Sequence, residues 1–395
     1  MKGGVNLIAE RKHPQRLEHV DSLRGFALFG ILLVNMLAFQ YGMYGFKTLS
    51  PGTADTGDGA GLLLIEWLFQ GSFYPVFSIL FGFGGALMFM SAAKAGKPFY
   101  SIYARRLLIL LFIGAAHLYL LWDGDILLTY ALTGFVFTAF LAAQAKTILI
   151  WIVSLALFII LPALGGDPGM NEAKLFADYI EAEQHILAEG TYREVLDLRI
   201  SGDPYEKAGI SQLAAISSFI FMLGQILFLF LIGCYIAKKE WMHNLQTYRN
   251  IWQTIFWTAL PAGLLLKGMM VFTAGWDYAG YMIGGPLLGL GWIAAFNLNY
   301  FRFTRTGLNR GLAAVGKTAL TNYLGQSFVM TSVFYGYGLG LFGNLGILPG
   351  ILLVAVLFIM QMIISTHWLN YFTLGPMEWL WRSGTYMRIV PIRRQ

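Results

Sequence analysis

Apolar runs of about twenty residues, separated by short polar breaks, recur from one end of the chain to the other. A helix needs ~20 such residues to cross the ~30 Å hydrocarbon core of a bilayer. Ten spans are predicted, with cores at 20–40, 72–91, 104–122, 126–143, 147–164, 211–237, 251–274, 278–300, 313–336 and 348–371. A shorter segment at 62–71, carrying Glu66 and Gln70, reads as an interfacial half-helix leading into the second span. One stretch breaks the rhythm. Between 165 and 210, Leu175, Phe176, Tyr179, Ile180, Ile186 and Leu187 recur at helical spacing among acidic residues. That pattern predicts one or two amphipathic helices, with Gly190, Gly202 and Pro204 as breaks. The expected architecture is an all-α polytopic membrane bundle in three parts: a five-helix bundle over 17–164, an extracytoplasmic amphipathic insertion over 165–210, and a second five-helix bundle with a cytoplasmic tail over 211–395.

Composition agrees with this reading. The 395 residues are 57% hydrophobic and 12% charged, against roughly 25% charged in soluble domains. With the N-terminus inside, Lys and Arg collect in every short cytoplasmic loop, whereas the outer side carries Lys47 and an insertion richer in acid than base. This obeys the positive-inside rule and places both termini in the cytoplasm. The net charge of +6 is therefore an orientation signal, and no basic patch remains for nucleic acid. Cys234 is the single cysteine, so no intrachain disulfide forms. No A-x-A-like cleavage site follows the first segment, which reads as a retained span.

The chemistry lies in polar residues set inside apolar helices. Asp21, Arg24 and Asn35 share one face of the first span, since positions eleven apart at ~100° per residue fall within about 20° of each other and roughly 16 Å apart along the axis. The third span repeats this geometry with Arg106 and His117, and the turn Asp123-Gly-Asp125 follows. Two readings are open for each. In the structural one, Asp21 and Arg24 pair at i,i+3, Asn35 bonds a neighbouring helix, and His117 bonds a carbonyl. In the functional one, Arg24 and Arg106 meet an anionic substrate or cofactor from the cytoplasmic side, and His117 with Asp125 or Asp123 is a general base. Lys317, Thr321, Asn322 and Gln326 form a polar stripe entering the ninth span, read either as helix glue or as substrate contacts. Lys267 and Asp277 flank a short outer turn, where snorkelling or pairing accounts for them. Gly311–Thr318 matches the P-loop spacing, but an Arg-rich loop precedes it and a membrane span follows, so the required strand context is missing. No metal-ligand spacing and no serine nucleophile elbow is present.

Several blocks resemble one family along nearly the whole chain. They include Asp21-Ser-Leu-Arg-Gly-Phe-Ala, Gly71-Ser-Phe-Tyr-Pro-Val-Phe-Ser-Ile-Leu-Phe-Gly82, Trp122-Asp-Gly-Asp-Ile-Leu127, Gly316-Lys-Thr-Ala-Leu-Thr-Asn-Tyr-Leu-Gly-Gln-Ser327 and Gly375-Pro-Met-Glu-Trp-Leu-Trp-Arg382. The chain is identified as a member of the YeiB-like proteins of the bacterial inner membrane, grouped by a domain of unknown function in their C-terminal half. The Asp-x-x-Arg-Gly start is more distantly similar to membrane acyltransferases, the type 3 group and heparan-glucosaminide acetyltransferase. That resemblance implies an acyltransferase-like first half and an acyl-CoA or acyl-lipid donor, with Arg24 and Lys317 on the donor phosphates and Asn35 at the acyl carbonyl. It also marks a departure. The type 3 group has a histidine eleven residues after the arginine, where this chain has Asn35, and 41–61 lacks the loop histidine of the heparan enzyme. The expected function is transfer of an acyl or similar anionic group across the membrane to an envelope acceptor. The alternative is a transporter or lipid-binding protein without covalent chemistry. Expected partners are the bilayer, a small-molecule or lipid substrate, and further copies of the chain.

Overall fold

A computed structural model describes residues 17–49, 56–164 and 172–394. Within these residues the chain is helical, and extended pairing is confined to a bridge between Phe372 and Arg393. The elements in order are α1 (Glu18–Tyr41), α2 (Thr56–Leu64), α3 (Phe73–Lys94), α4 (Tyr100–Leu120), α5 (Leu127–Phe137) and α6 (Ala145–Leu164). The insertion supplies α7 (Glu172–Leu175), α8 (Ala177–Glu189), α9 (Tyr192–Ser201) and α10 (Pro204–Lys207). There follow α11 (Gln212–Lys238), α12 (Arg249–Phe272), α13 (Asp277–Ala279), α14 (Gly285–Phe303), α15 (Gly307–Lys317), α16 (Ala319–Phe334), α17 (Ile347–Tyr371) and α18 (Pro376–Tyr386).

Among the described residues, eight helical stretches are long and apolar enough to cross a membrane, beginning at Glu18, Gly57, Tyr100, Ala145, Gln212, Arg249, Asp277 and Ile347. Their burial separates centre from periphery. The apolar window of α1 is 67% buried inside the protein and that of α6 only 11%. Ile150, Trp151, Leu157 and Leu161 of α6, and Leu352, Ile359 and Ile363 of α17, are exposed. Apolar faces of that extent belong against lipid.

Small residues bring α1 to the centre. An added Cβ at Gly25 would collide with the Leu312 carbonyl, and one at Gly316 with the Asp21 carbonyl. So α1 and α15 meet backbone to backbone. Gly82 and Gly233 do the same for α3 and α11. Without a hydrophobic drive between helices in lipid, such close approach supplies the packing. The glycines of the P-loop-like stretch are helix contacts within α15.

One expectation changes and two are refined. The ninth span, expected as one helix over 313–336, is broken at Thr318 into α15 and α16. The Thr318 hydroxyl donates to the Ala314 carbonyl at 2.9 Å. Glu378 of α18 fills the start of α16, accepting from the Leu320 and Thr321 amides at 2.6 and 3.1 Å. The free amides of a new helix start are thereby satisfied. The 62–71 segment leads into the second span and packs inward: Leu62 and Ile65 are buried, and α2 continues through a π-type turn at Ile65–Phe69 toward α3. Asp58 caps α17 from there, accepting from the Ile347 and Leu348 amides at 2.8 and 3.0 Å. Of the two readings open for Lys267, burial rules out snorkelling and leaves pairing. Its side chain is fully buried, with Nζ 3.5 Å from Met270 Sδ and within electrostatic reach of Glu66 and Asp277.

Candidate functional site

His117 lies in the last turn of α4, and its carbonyl closes the helix by accepting from the Leu121 and Trp122 amides. The turn that follows folds back beneath the ring. Gly114 allows this, because a Cβ there would run into the backbone of Leu127 and Leu128 at the start of α5. Asp125 Oδ1 comes within 2.7 Å of His117 Nδ1, and its Oδ2 accepts from the Leu128 amide at 2.7 Å. Both side chains are closed to solvent. On the other side of the ring, His117 Nε2 lies 2.8 Å from Ser327 Oγ, in the middle of α16. The rings of Tyr323 and His117 are 5.1 Å apart.

The tautomer follows from the partners. An ionised carboxylate only accepts, so Nδ1 carries the proton toward Asp125 and Nε2 is left to accept from the serine hydroxyl. Hydroxyl, imidazole and carboxylate stand in the order used by serine acyl-transfer centres, which are recognised by geometry and not by sequence position. Sequence reasoning placed His117 and Asp125 together but missed Ser327. No local signal marks it: Ser327 is turned about 100° from Gln326 on the helix, off the Asn322–Gln326 face.

The stripe itself faces elsewhere. Asn322 Nδ2 donates to the Thr318 carbonyl and hydroxyl and to Ser365 Oγ at 2.9, 2.8 and 3.0 Å. Gln326 donates to Gln361 Oε1 at 2.9 Å, and Gln361 donates to the Asn322 carbonyl at 3.0 Å. These bonds join α16 to α17.

At the opposite end of α1 and α4 the charges are basic. Arg24 pairs with buried Asp21 at 3.3 Å and keeps 30% of its side chain exposed. Arg106 lies 3.6 Å over the Trp381 ring of α18, and the Trp381 indole donates to the Arg106 carbonyl. Arg24 and Arg382 are both within electrostatic reach of Arg106. Lys317 is half-buried at the end of α15. Asn35 is half-buried in α1, one turn before Phe39, whose ring packs 4.1 Å from Trp122. Asn35 thus belongs to the His117 end, and the two arginines to the other. Asp123 makes no hydrogen bond to His117 among the described residues and lines a cavity beneath the insertion.

A bundle of long apolar helices with polar centres at both ends defines a polytopic membrane protein. Residues 236–388 match the family described as "Protein of unknown function (DUF418)". The chain is 33% identical over 392 residues to the uncharacterized protein YxaH of Bacillus subtilis (strain 168), covering 96% of this chain and 97% of that one. It is 27% identical over 386 residues to the uncharacterized protein YeiB of Escherichia coli (strain K12), covering 93% and 95%. The chain belongs to this DUF418 family, with likeness to YxaH and YeiB over nearly its full length.

Proposed function

We propose that this protein is a membrane-embedded acyltransferase that works through Ser327, His117 and Asp125. The observation that carries the reading is the His117 ring, held between a carboxylate at 2.7 Å and a serine hydroxyl at 2.8 Å. In the first step Ser327 Oγ attacks the acyl carbonyl of the donor while His117 Nε2 takes the hydroxyl proton. Asp125 stabilises the imidazolium. The proton then passes to the leaving thiolate or alkoxide, and the acyl group stays on Ser327. An acceptor hydroxyl next gives its proton to His117 and attacks the ester, and Ser327 recovers its hydrogen from the imidazolium. To Asn35, at the same end of the bundle, we assign the hydrogen bond to the developing oxyanion.

The donor's charged part belongs at the other end, on Arg24, Arg106 and Lys317. These sites are about 16 Å apart along each helix, so the donor carries its acyl carbon on an arm, as acyl-CoA and acyl-lipids do. We infer a ten-span topology in the cytoplasmic membrane with both termini inside and an acyltransferase-like first half. Eight long apolar helices and the shorter apolar helix at Leu127–Phe140 support that number when α16, which is polar along one face, is counted as a tenth, and the positive-inside pattern supports the orientation.

The test is product analysis of envelope lipids and glycans by mass spectrometry in cells carrying wild type, S327A, H117A or D125N. An acyl ester present in wild type and lost in S327A and H117A is expected, with D125N about 10³–10⁴-fold slower. Each variant is checked for normal membrane insertion and a monodisperse profile in detergent. Undiminished ester in S327A sinks the covalent scheme, and undiminished ester in both S327A and H117A sinks the enzyme reading.

A further inference from the structure

Beneath the insertion lies a cavity of about 240 Å³, walled by Tyr44, Asp123, Tyr179, Glu183 and Arg199 among others. Its roof is latched at several points. Tyr192 of α9 donates to the Leu120 carbonyl at 2.8 Å, and the Gly336 amide donates to the Leu187 carbonyl at 2.8 Å. Glu183 of α8 accepts from the Met43 and Tyr44 amides at 3.1 and 3.4 Å. Gly42, at φ 90°, lets that loop come against the carboxyl group. The cavity is therefore a built feature of the fold.

Its electrostatics are unusual. Both terminal nitrogens of Arg199 are closed to solvent and have no hydrogen-bond partner among the described residues. Its guanidinium sits 5.9 Å from the Tyr335 ring, and the Tyr335 hydroxyl is likewise buried without a partner. A buried guanidinium without acceptors is strongly disfavoured, and its planar fork matches a carboxylate or phosphate. Burial pushes the Asp123 carboxyl up, and burial followed by the nearby Asp123 pushes Glu183 up to about 8. Asp123 lies within electrostatic reach of Arg199, which pulls its carboxyl down, but makes no hydrogen bond to either terminal nitrogen. A protonated Glu183 adds a donor, as do the phenols of Tyr44 and Tyr179.

We propose that this cavity binds a small oxyanion-bearing ligand, a carboxylate or phosphate group gripped by the Arg199 fork. Its volume is below the ~300–1,000 Å³ of drug-sized sites, so the occupant is a small molecule or the charged end of a larger one. Asp123 lines the cavity and lies within electrostatic reach of His117, so it links the two sites. As the seat of the acyl acceptor, the cavity rests on the acyl-transfer reading; as an anion site it stands apart from it.

The test uses the full chain in phosphatidylcholine nanodiscs, titrated calorimetrically with sn-glycerol 3-phosphate, with glycerol as the neutral counterpart. Glycerol 3-phosphate is expected to bind and glycerol not. R199Q is expected to weaken binding at least tenfold, with R199K intermediate because it keeps the charge but not the fork. A second arm adds phosphatidylglycerol to the nanodiscs. Competition there identifies a lipid headgroup as the source, and unchanged affinity identifies a free ligand. The proposal is overturned if neither glycerol 3-phosphate nor phosphatidylglycerol engages wild type, if glycerol binds equally, or if folded R199Q and R199K bind like wild type. H117A is titrated in parallel: binding retained there upholds the site even where transfer chemistry fails.

Discussion

Gly316→Ala is expected to damage this protein far more than one methyl group suggests. The new Cβ would meet the Asp21 carbonyl carbon at 2.8 Å and the Gly25 amide nitrogen at 2.9 Å, with the Asp21 oxygen closer still. Carbon contacts settle at ~3.5–4.0 Å, so α1 and α15 must part by roughly 1 Å, and neither partner atom belongs to a side chain that can swing aside. Overpacking of this kind costs about 1–3 kcal/mol and more where only backbone can yield. Gly325→Ala in α16 is the matched control. Nothing lies within 4 Å of its Cβ, and helix propensity there favours alanine by up to ~1 kcal/mol. The assay is thermal unfolding in detergent, followed by tryptophan fluorescence and by the fraction that stays monodisperse. G316A should lower the midpoint by several degrees, and G325A should hold or raise it. Equal midpoints for G316A and wild type would refute the backbone contact between α1 and α15, and with it the account of why Asp21 and Arg24 are fixed where they are.

Other consequences follow from single groups. Glu183 holds its proton to about pH 8 when folded and loses it near 4.5 when unfolded, so the folded state binds more protons between these values and wild-type stability falls as pH rises from about 5 to 8. At about 1.4 kcal/mol per pKa unit the effect reaches a few kcal/mol; E183Q should lack this slope in pH-dependent unfolding, and a slope identical to wild type would contradict it. Asp58→Ala removes the cap on two α17 amides and should destabilise by about 1 kcal/mol, read as faster amide exchange at 347–350. Trp381→Ala takes away the ring beneath Arg106, worth about 0.5–2 kcal/mol, and should loosen α18, measured as earlier proteolysis of the C-terminal tail.

Much of the site was legible because it is local. His117 and Asp125 are eight residues apart, and a helix end followed by Asp-Gly-Asp has few ways to fold except back on itself. Arg24 and Arg106 share an end because both precede their outer polar partner by three turns. Ser327 was not legible. It sits 210 residues from His117 in sequence, and nothing local separates it from Ser332 or Ser365. The Asn322–Gln326 stripe was visible, but whether it faced a ligand or α17 depended on which helix lay beside it. Arg199 looked like any charged residue of a solvated helix until the insertion closed over it.

What the sequence by itself determined is the membrane class, the long apolar helices and the polar positions within them, because lipid forces each span to satisfy its own backbone and to show its apolar length openly. What only the tertiary structure decided is which polar faces meet. Those meetings depend on glycine contacts, a broken α15–α16 pair and an insertion latched across span ends. Each is a long-range packing choice, and no residue pattern along a single helix encodes it.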